Sequence, residues 1–305
     1  DKDTRDAKAI EHDILQANIA DMQFDITIIT TIHMMRKAFN DMVDEAEATR
    51  QIEEDLEIVE NLMNELKLPV LVTKRPVWDT FPGAWYTIAI DVVMPDGRTL
   101  QVASVHHYRD QWARAFDVTY EDASGNQQYV HQTTYGMSER LLGAIVASHG
   151  DDKGLVMPPP VAPVQVVVIP IISKGASSDV ISESERITSE LKSAGIRVRL
   201  DSRDIRPGQK YYDWEIKGVP LRMEIGPRDL ANNSVMFVRR TGGKQSHSVD
   251  NLVDTVRSEL GIIGEEMKKQ SSDHFNSRIK MLPAFTIDGN NLIFDQAIEL
   301  SLIHI

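Results

Sequence analysis

The chain has 305 residues, of which 42% are hydrophobic and 26% charged, and its formal net charge is −13. That composition is ordinary for a soluble globular protein, and the length suits about two domains. No apolar stretch approaches the ~18 residues needed to span a bilayer, which points away from a membrane protein, and the absence of cysteine excludes disulfides and thiolate zinc sites.

The N-terminus, Asp1-Lys2-Asp3-Thr4-Arg5-Asp6, is charged and has no apolar signal core, so a cytoplasmic protein is expected. The acidic balance argues mildly against a nucleic-acid partner, although local basic clusters bind phosphates on acidic proteins as well. Residues 1–40 carry no firm periodicity apart from a β-branched run, Ile26 to Ile32, that reads as a strand. From Asp41 to Leu66 the pattern is helical: Ile52, Leu56, Val59, Leu62, Met63 and Leu66 recur at spacings of three and four. Leu68-Pro69 ends it.

Strand-like segments follow at Val70–Thr73, Tyr86–Val93, Thr99–Val105, Ala115–Tyr120 and Tyr129–Gln132. Pro95-Asp96-Gly97 and Ser124-Gly125-Asn126 read as hairpin turns, which makes this an antiparallel meander. A helix is expected over Ser138–Ser148. Pro158-Pro159-Pro160 and Pro163 then mark a boundary.

Beyond it Gln165–Ile172 is a continuous apolar strand of the kind buried on both faces. Ser182–Ala194 reads as a helix closed by Gly195. Ile196–Leu200, Leu221–Ile225 and Ser234–Arg239 read as strands, Gln209–Lys217 as a short helix and Val249–Lys269 as a long amphipathic one. This is a small α/β domain with a mixed sheet. The pattern is lost over Ser271–Ile305, and the ending Leu300-Ser301-Leu302-Ile303-His304-Ile305 is read as artefactual.

Several clusters carry chemistry. Arg140 opens an apolar helical segment in Gly136–Pro163; a planar cation there suits a phosphate and an aromatic ring, or is merely a surface arginine. In Gln101-Val102-Ala103-Ser104-Val105-His106-His107 a strict pleat separates Gln101 from Ser104 and His106, so a bulge is implied if they act together; otherwise this is a polar strand face. The His-His pair has no carboxylate cluster near it and is a poor metal signal, so no metal site is assigned and His107 is read as structural. Pro76–Gly83 gathers Trp78 and Phe81 near Trp85, as either a pocket or a core, with Trp78 and Trp85 read as packing residues. The adjacent carboxylates of His149-Gly150-Asp151-Asp152 suggest magnesium or a structural turn, without a catalytic role, and Asp201–Lys210 reads as a loop and helix start.

The order of Gly136–Pro163, an arginine at the mouth of an apolar run, an acidic turn and three prolines, resembles motif 3 of a class II aminoacyl-tRNA synthetase, in the form found in the prolyl-tRNA synthetase family of archaeal and eukaryotic type. Gln101-x-x-Ser104-x-His106, the Phe81 loop and Trp214–Asp229 resemble the same family. The fold implied is α+β: the C-terminal part of an antiparallel-sheet catalytic domain, then an α/β anticodon-binding domain with a mixed sheet. The division expected is 41–163 for the catalytic part, 164–265 for the anticodon-binding domain and 266–305 for a shortened C-terminal extension, with residues 1–40 unmatched.

The resemblance further implies ATP contacts at Gln101, Ser104, Ser138 and Arg140, a proline pocket with His106 and Phe81, and anticodon contacts at Glu215, Arg222 and Lys244. A Glu–Arg surface salt bridge is the plainer reading of the last group. The implied reaction is ATP-dependent ligation of proline to tRNA(Pro), with Mg2+ accompanying ATP, and the full-length protein is expected to be a homodimer. No acid, base or nucleophile is implied. Motifs 1 and 2 of the family are not visible in residues 1–40, so this chain alone is expected to be impaired as a ligase. The alternative is a catalytically inactive, synthetase-like tRNA-binding protein or fragment.

Overall fold

The structure, a computed structural model, describes residues 45–172 and 177–279, together with the backbone of two short paired strands at 285–288 and 291–294. The expected strand at Ile26–Ile32 and the terminal hexapeptide lie outside the described residues.

Helix α1 (Glu45–Glu65) buries the stripe that its spacing announces, with Ile52, Val59 and Met63 in the core and Leu56 and Leu62 packed beside them. It lies against a four-stranded antiparallel sheet of order β1-β2-β3-β6: β1 (Val70–Lys74), β2 (Tyr86–Val93), β3 (Thr99–Arg109) and β6 (Gln132–Met137). Helix α3 (Arg140–His149) covers the same face through Leu141, Leu142, Ala144 and Ile145. The other face of this sheet is left without a covering helix among the described residues.

The expected strand at Ala115–Tyr120 is only partly one. Helix α2 (Gln111–Phe116) occupies its first residues, Asp117 ends that helix in the left-handed conformation (φ 54°), and the strand β4 is limited to Thr119–Glu121. Two i, i+4 pairs favour the helix: Arg114 on Asp110, and Trp112 stacked on Phe116. Strand β5 (Gln127–Tyr129) pairs with β4, so the expected strand at Tyr129–Gln132 is broken between β5 and β6.

The second sheet has the order β11-β10-β9-β7-β8. Strand β7 (Val166–Pro170) is buried on both faces and runs parallel to β8 (Val198–Leu200) and β9 (Leu221–Ile225). Strands β10 (Ser234–Arg239) and β11 (Lys244–Ser248) add in antiparallel fashion. Helices α4 (Ser177–Ser193) and α7 (Leu252–Arg278) pack on one face, and α5 (Pro207–Ile216) on the other; a short α6 (Pro227–Ala231) precedes β10. The α+β class and the mixed sheet are as the sequence implies. Helix α7 runs nine residues beyond the expected Lys269, and its polar end reaches the first sheet: Ser271 Oγ donates to the Lys67 carbonyl (2.7 Å) and Arg278 Nη2 to that of Pro95 (2.9 Å).

The two sheets are also joined where Asp151–Met157 runs beside the end of α5. Leu155 N–H donates to the Ile216 carbonyl and Met157 N–H to that of Gly218. Gly154 (φ +129°) and Gly218 (φ +69°) permit this approach, since a Cβ at either would sit 2.6 Å from the opposing backbone.

Candidate functional site

The uncovered face of the first sheet is polar. Ile90 pairs with Ala103 and Asp91 with Gln101, so Val102 is an extra residue on β3. This bulge turns Gln101 onto the face that already carries Ser104 and His106, opposite Thr87, Ala89 and Asp91 of β2. Ala103 and Val105 point the other way, into the core.

His106 is held at both ring nitrogens: Nδ1 lies 2.9 Å from Thr87 Oγ1 and Nε2 lies 3.0 Å from Ser104 Oγ. Thr87 Oγ1 also accepts the Phe81 N–H at 3.0 Å, which fixes the incoming loop to the strand. The Phe81 ring, 48% exposed, stands 4.9 Å from the His106 ring and edge-on to Tyr108. Tyr108 in turn meets Trp112, which fills the space over Gly83; a Cβ there would lie 2.9 Å from Trp112 Nε1. The loop holding Phe81 is thus braced by α2, the helix whose residues read as strand. Trp85 packs only in part: it is 48% exposed, with the Arg109 guanidinium 3.4 Å from its ring centre, and His107 is buried against Trp85 and Tyr86. Trp78 does not pack: it is 89% exposed, at the tip of a single 3-10 turn whose own fold is closed by backbone bonds.

Beside Gln101, Arg75 Nη2 donates to both oxygens of Asp91 (2.9 Å each) and lies 3.4 Å from Gln101 Oε1. Burial pushes the Asp91 carboxyl above its ordinary range, with Arg75 opposing that shift. With Oε1 turned to Arg75, Gln101 presents its NH2 to the open face. Arg75, Thr87, Asp91 and Tyr108 were not singled out from sequence. Asp91 carried a signal, since an acid inside an apolar strand needs a buried partner.

The site's remaining edge is the β6–α3 junction. Gly136 pairs with Ser104 and Met137 with Ala103, which brings Ser138 and Arg140 to the end of the polar face. Arg140 is exposed at the helix start, where its N–H lies 3.4 Å from Ser138 Oγ. A Cβ on Gly136 would meet nothing within 4 Å, so the flat floor beside Ser104 is open space. Among the described residues no group of three or more His, Asp or Glu is arranged to hold a metal ion.

In the second sheet Arg222 and Lys244 converge on Glu224: Arg222 Nε donates to Oε1 (3.0 Å) and Lys244 Nζ to Oε2 (2.9 Å). The Arg222 guanidinium lies 4.0 Å from the Tyr211 ring centre. Glu215 does not bond to this group. One helical turn beyond Tyr211, it accepts instead from Lys153 Nζ at 3.4 Å, across the junction between the sheets. The partner of Arg222 is therefore Glu224, not the Glu215 of the plainer sequence reading. Asp201–Lys210 is structural: Arg203 and the Trp214 indole hold the buried Asp201 carboxyl at about 2 despite its desolvation, and Lys210 caps the Asp201 carbonyl.

Two family models match the chain, and the first begins inside the stretch 1–40 that was expected to be unmatched. The class II core domain of tRNA synthetases (G, H, P, S and T) matches residues 32–149 and an anticodon binding domain matches residues 165–259. The proline–tRNA ligase of Thermococcus kodakarensis is 50% identical over 250 residues, 82% of this chain and 52% of that protein. That of Pyrococcus horikoshii is 48% identical over 253 residues, 83% of this chain and 52% of that protein. Giardia lamblia prolyl-tRNA synthetase, solved in complex with prolyl-adenylate, superposes with a TM-score of 0.73 at 32% identity, covering 77% of this chain and 51% of that one. The chain spans about half the length of the curated relatives it matches. With both domains matched in order and half of the residues aligned with the Thermococcus kodakarensis protein shared, the chain belongs to the prolyl-tRNA synthetase family of class II aminoacyl-tRNA synthetases.

Proposed function

We propose that this chain carries one wall of the active site, and the anticodon-binding part, of a ligase that joins proline to tRNA(Pro). The observation that carries the reading is the Val102 bulge, which gathers Gln101, Ser104 and His106 on one open face beside Phe81. The prolyl-adenylate bound by the Giardia neighbour is a ligand of the right chemistry for such a face. In this reading Gln101, Ser104, Ser138 and Arg140 contact ATP. The Gln101 NH2 and the Arg140 guanidinium are donors for phosphate oxygens, and the open floor at Gly136 admits a flat base. His106 and Phe81 form the proline pocket, one supplying a polar edge and the other an apolar ring.

The proline carboxylate attacks the α-phosphate of ATP, forming prolyl-adenylate and releasing pyrophosphate. A terminal ribose hydroxyl of the tRNA then attacks the prolyl carbonyl and releases AMP. No side chain need form a covalent bond; positioning and fixed dipoles carry the rate. Mg2+ would enter with the ATP phosphates and offset their charge; among the described residues no group of three or more His, Asp or Glu is arranged to hold it. Residues 41–163 form the catalytic part, 164–265 the anticodon-binding domain and 266–305 an extension. A cytoplasmic homodimer is the expected state of the full-length protein.

Calorimetry with a sulfamoyl analogue of prolyl-adenylate tests the active-site half. The analogue should bind, and His106→Ala and Arg140→Ala should each weaken it at least about tenfold, the loss of a charge-assisted or well-placed polar contact. Equal binding of the alanyl analogue would sink the proline assignment. A second reading, a tRNA-binding module without catalysis, is favoured by the Arg222–Glu224–Lys244 group, which is complete within the second sheet. It leads if anticodon-loop RNA binds and the adenylate analogue does not.

A further inference from the structure

Strands β9, β10 and β11 leave part of one face open beside α5. Arg222, Val238 and Lys244 lie in one row across the three strands, and Glu224, Met236 and Ser246 in the next. Alternation puts both rows on the same side, while Leu221, Met223 and Ile225 enter the core on the other.

Glu224 is 6% exposed, yet its carboxylate binds no backbone group; its two oxygens are divided between two cations. The geometry of Arg222 is determined twice over. The Tyr211 ring fixes the plane of the guanidinium, and the Nε bond to Glu224 fixes its rotation within that plane. Neither terminal nitrogen of Arg222 makes a hydrogen bond among the described residues, so both donors remain available to a ligand. Lys244 is tethered by the same carboxylate while its side chain stays half-exposed. Tyr211 is drawn into the group as well: burial, and then the Glu224 charge, push its phenol up to about 12, so it remains neutral.

A two-donor fork beside a tethered ammonium matches the O6/N7 edge of guanine, which an unstacked base in a single-stranded loop exposes. We propose that Glu224 and Tyr211 are positioning residues that aim Arg222 and Lys244 at the guanines of a single-stranded loop. This rests on the reading of Arg222 and Lys244 as anticodon contacts. A buried carboxylate beside a polyanion opposes binding if charge alone matters, so the two accounts predict opposite results.

The test is fluorescence anisotropy of the 305-residue chain, at fixed salt, with two RNA hairpins. One loop carries the proline anticodon and the other has its guanines replaced by adenines. Glu224→Gln keeps the size but offers one acceptor where two cations need two. It should lower the guanine-over-adenine affinity ratio by about tenfold, the worth of one well-aimed base contact, and leave adenine-loop binding unchanged or tighter. Tyr211→Phe should keep the ratio and Tyr211→Leu should lower it, which decides the matter even if Glu224→Gln does not fold. A ratio unmoved by Glu224→Gln, with both loops bound more tightly, makes Glu224 a bystander charge and overturns the proposal, as does a ratio unmoved by Tyr211→Leu. A ratio unmoved by Arg222→Ala overturns the anticodon reading itself.

Discussion

Arg240, between β10 and β11, grips Asp151, the second residue beyond α3, through a two-pronged pair of 2.5 and 2.8 Å. The guanidinium side chain is 4% exposed, and its Nε donates to the Glu215 carbonyl at the end of α5. A single buried cation therefore ties the helix that presents Arg140 to the helix that presents Glu215.

Asp151→Asn should loosen this tie. The Asp151 side is half-exposed, so the pair itself is worth about 1 kcal/mol, but Arg240 would lose its charge partner in a buried setting. Differential scanning calorimetry should show a lower transition temperature and a broader, less cooperative endotherm. Arg240→Met should have a similar effect, and the double variant should lose less than the sum of the two, because both singles break the same contact. Strict additivity would mean that the pair does not couple the two sheets.

The same pair sets an acid limit. Hydrogen bonding to Arg240 holds the Asp151 carboxyl at about 2, below its ordinary 3.8. A depressed carboxylate pKa means that the unfolded chain binds the proton more readily. The contribution is present above about pH 4 and is lost as pH falls towards 2. Asp151→Asn should therefore lower stability by a constant amount above about pH 4 and flatten the profile between pH 4 and 2, where the two chains converge, read by chemical denaturation at successive pH values.

Gly218→Ala tests the close approach between the sheets. Its backbone has φ +69°, and the added Cβ would lie 2.6 Å from the Leu155 carbonyl group. Strain and steric overlap together should cost about 3 kcal/mol or more. Gly136→Ala is the control: it meets nothing within 4 Å, so stability should hold while binding of the adenylate analogue falls. Equal melting temperatures for Gly218→Ala and the parent chain would contradict the junction described.

Much of this was legible in the residues. The helical stripe of α1, the apolar run of β7 and the turn at Pro95–Gly97 each carry a local signal that packing follows. A bulge was implied because Gln101 and His106 could not otherwise share a face, and the strand register puts it at Val102. What escaped was set by non-local partners. Strand β11, Lys-Gln-Ser-His-Ser, has no apolar alternation and forms because β10 supplies its hydrogen bonds. Helix α2 hides among β-forming aromatics because its i, i+4 pairs outweigh their propensity. Arg75 and Glu224 were not singled out, since each acquires its meaning from a partner elsewhere: Asp91 for Arg75, and Arg222 and Lys244 for Glu224.

Thr87→Val isolates the proline side of the site. It keeps the shape but removes the oxygen that accepts the Phe81 N–H and meets His106 Nδ1. Phe81 N–H is left without that acceptor and the imidazole loses one of its two tethers, so both walls of the pocket become mobile. Binding of the prolyl-adenylate analogue should weaken about tenfold or more, in line with an unmet polar group of ~1–3 kcal/mol, whereas ATP alone should bind as before. Parallel losses for ATP and for the analogue would show that Thr87 supports the sheet as a whole rather than the pocket.

His149 makes the last prediction. Its Nε2–H donates to the Leu66 carbonyl at 2.9 Å, joining the end of α3 to the end of α1, and burial lowers its pKa below the ordinary 6.5. The neutral ring is thus the folded form. A lowered histidine pKa means that the unfolded chain takes up the proton first, so the stability tied to His149 is complete above about pH 6.5 and drains away as pH falls through the folded value. Thermal melts between pH 8 and pH 5 should show a decline that His149→Gln, which can still donate to Leu66, largely removes. The variant should start lower at pH 8, because an amide fills less of the space between the helices, and the two curves should converge towards pH 5. Parallel curves would place the acid sensitivity elsewhere in the chain.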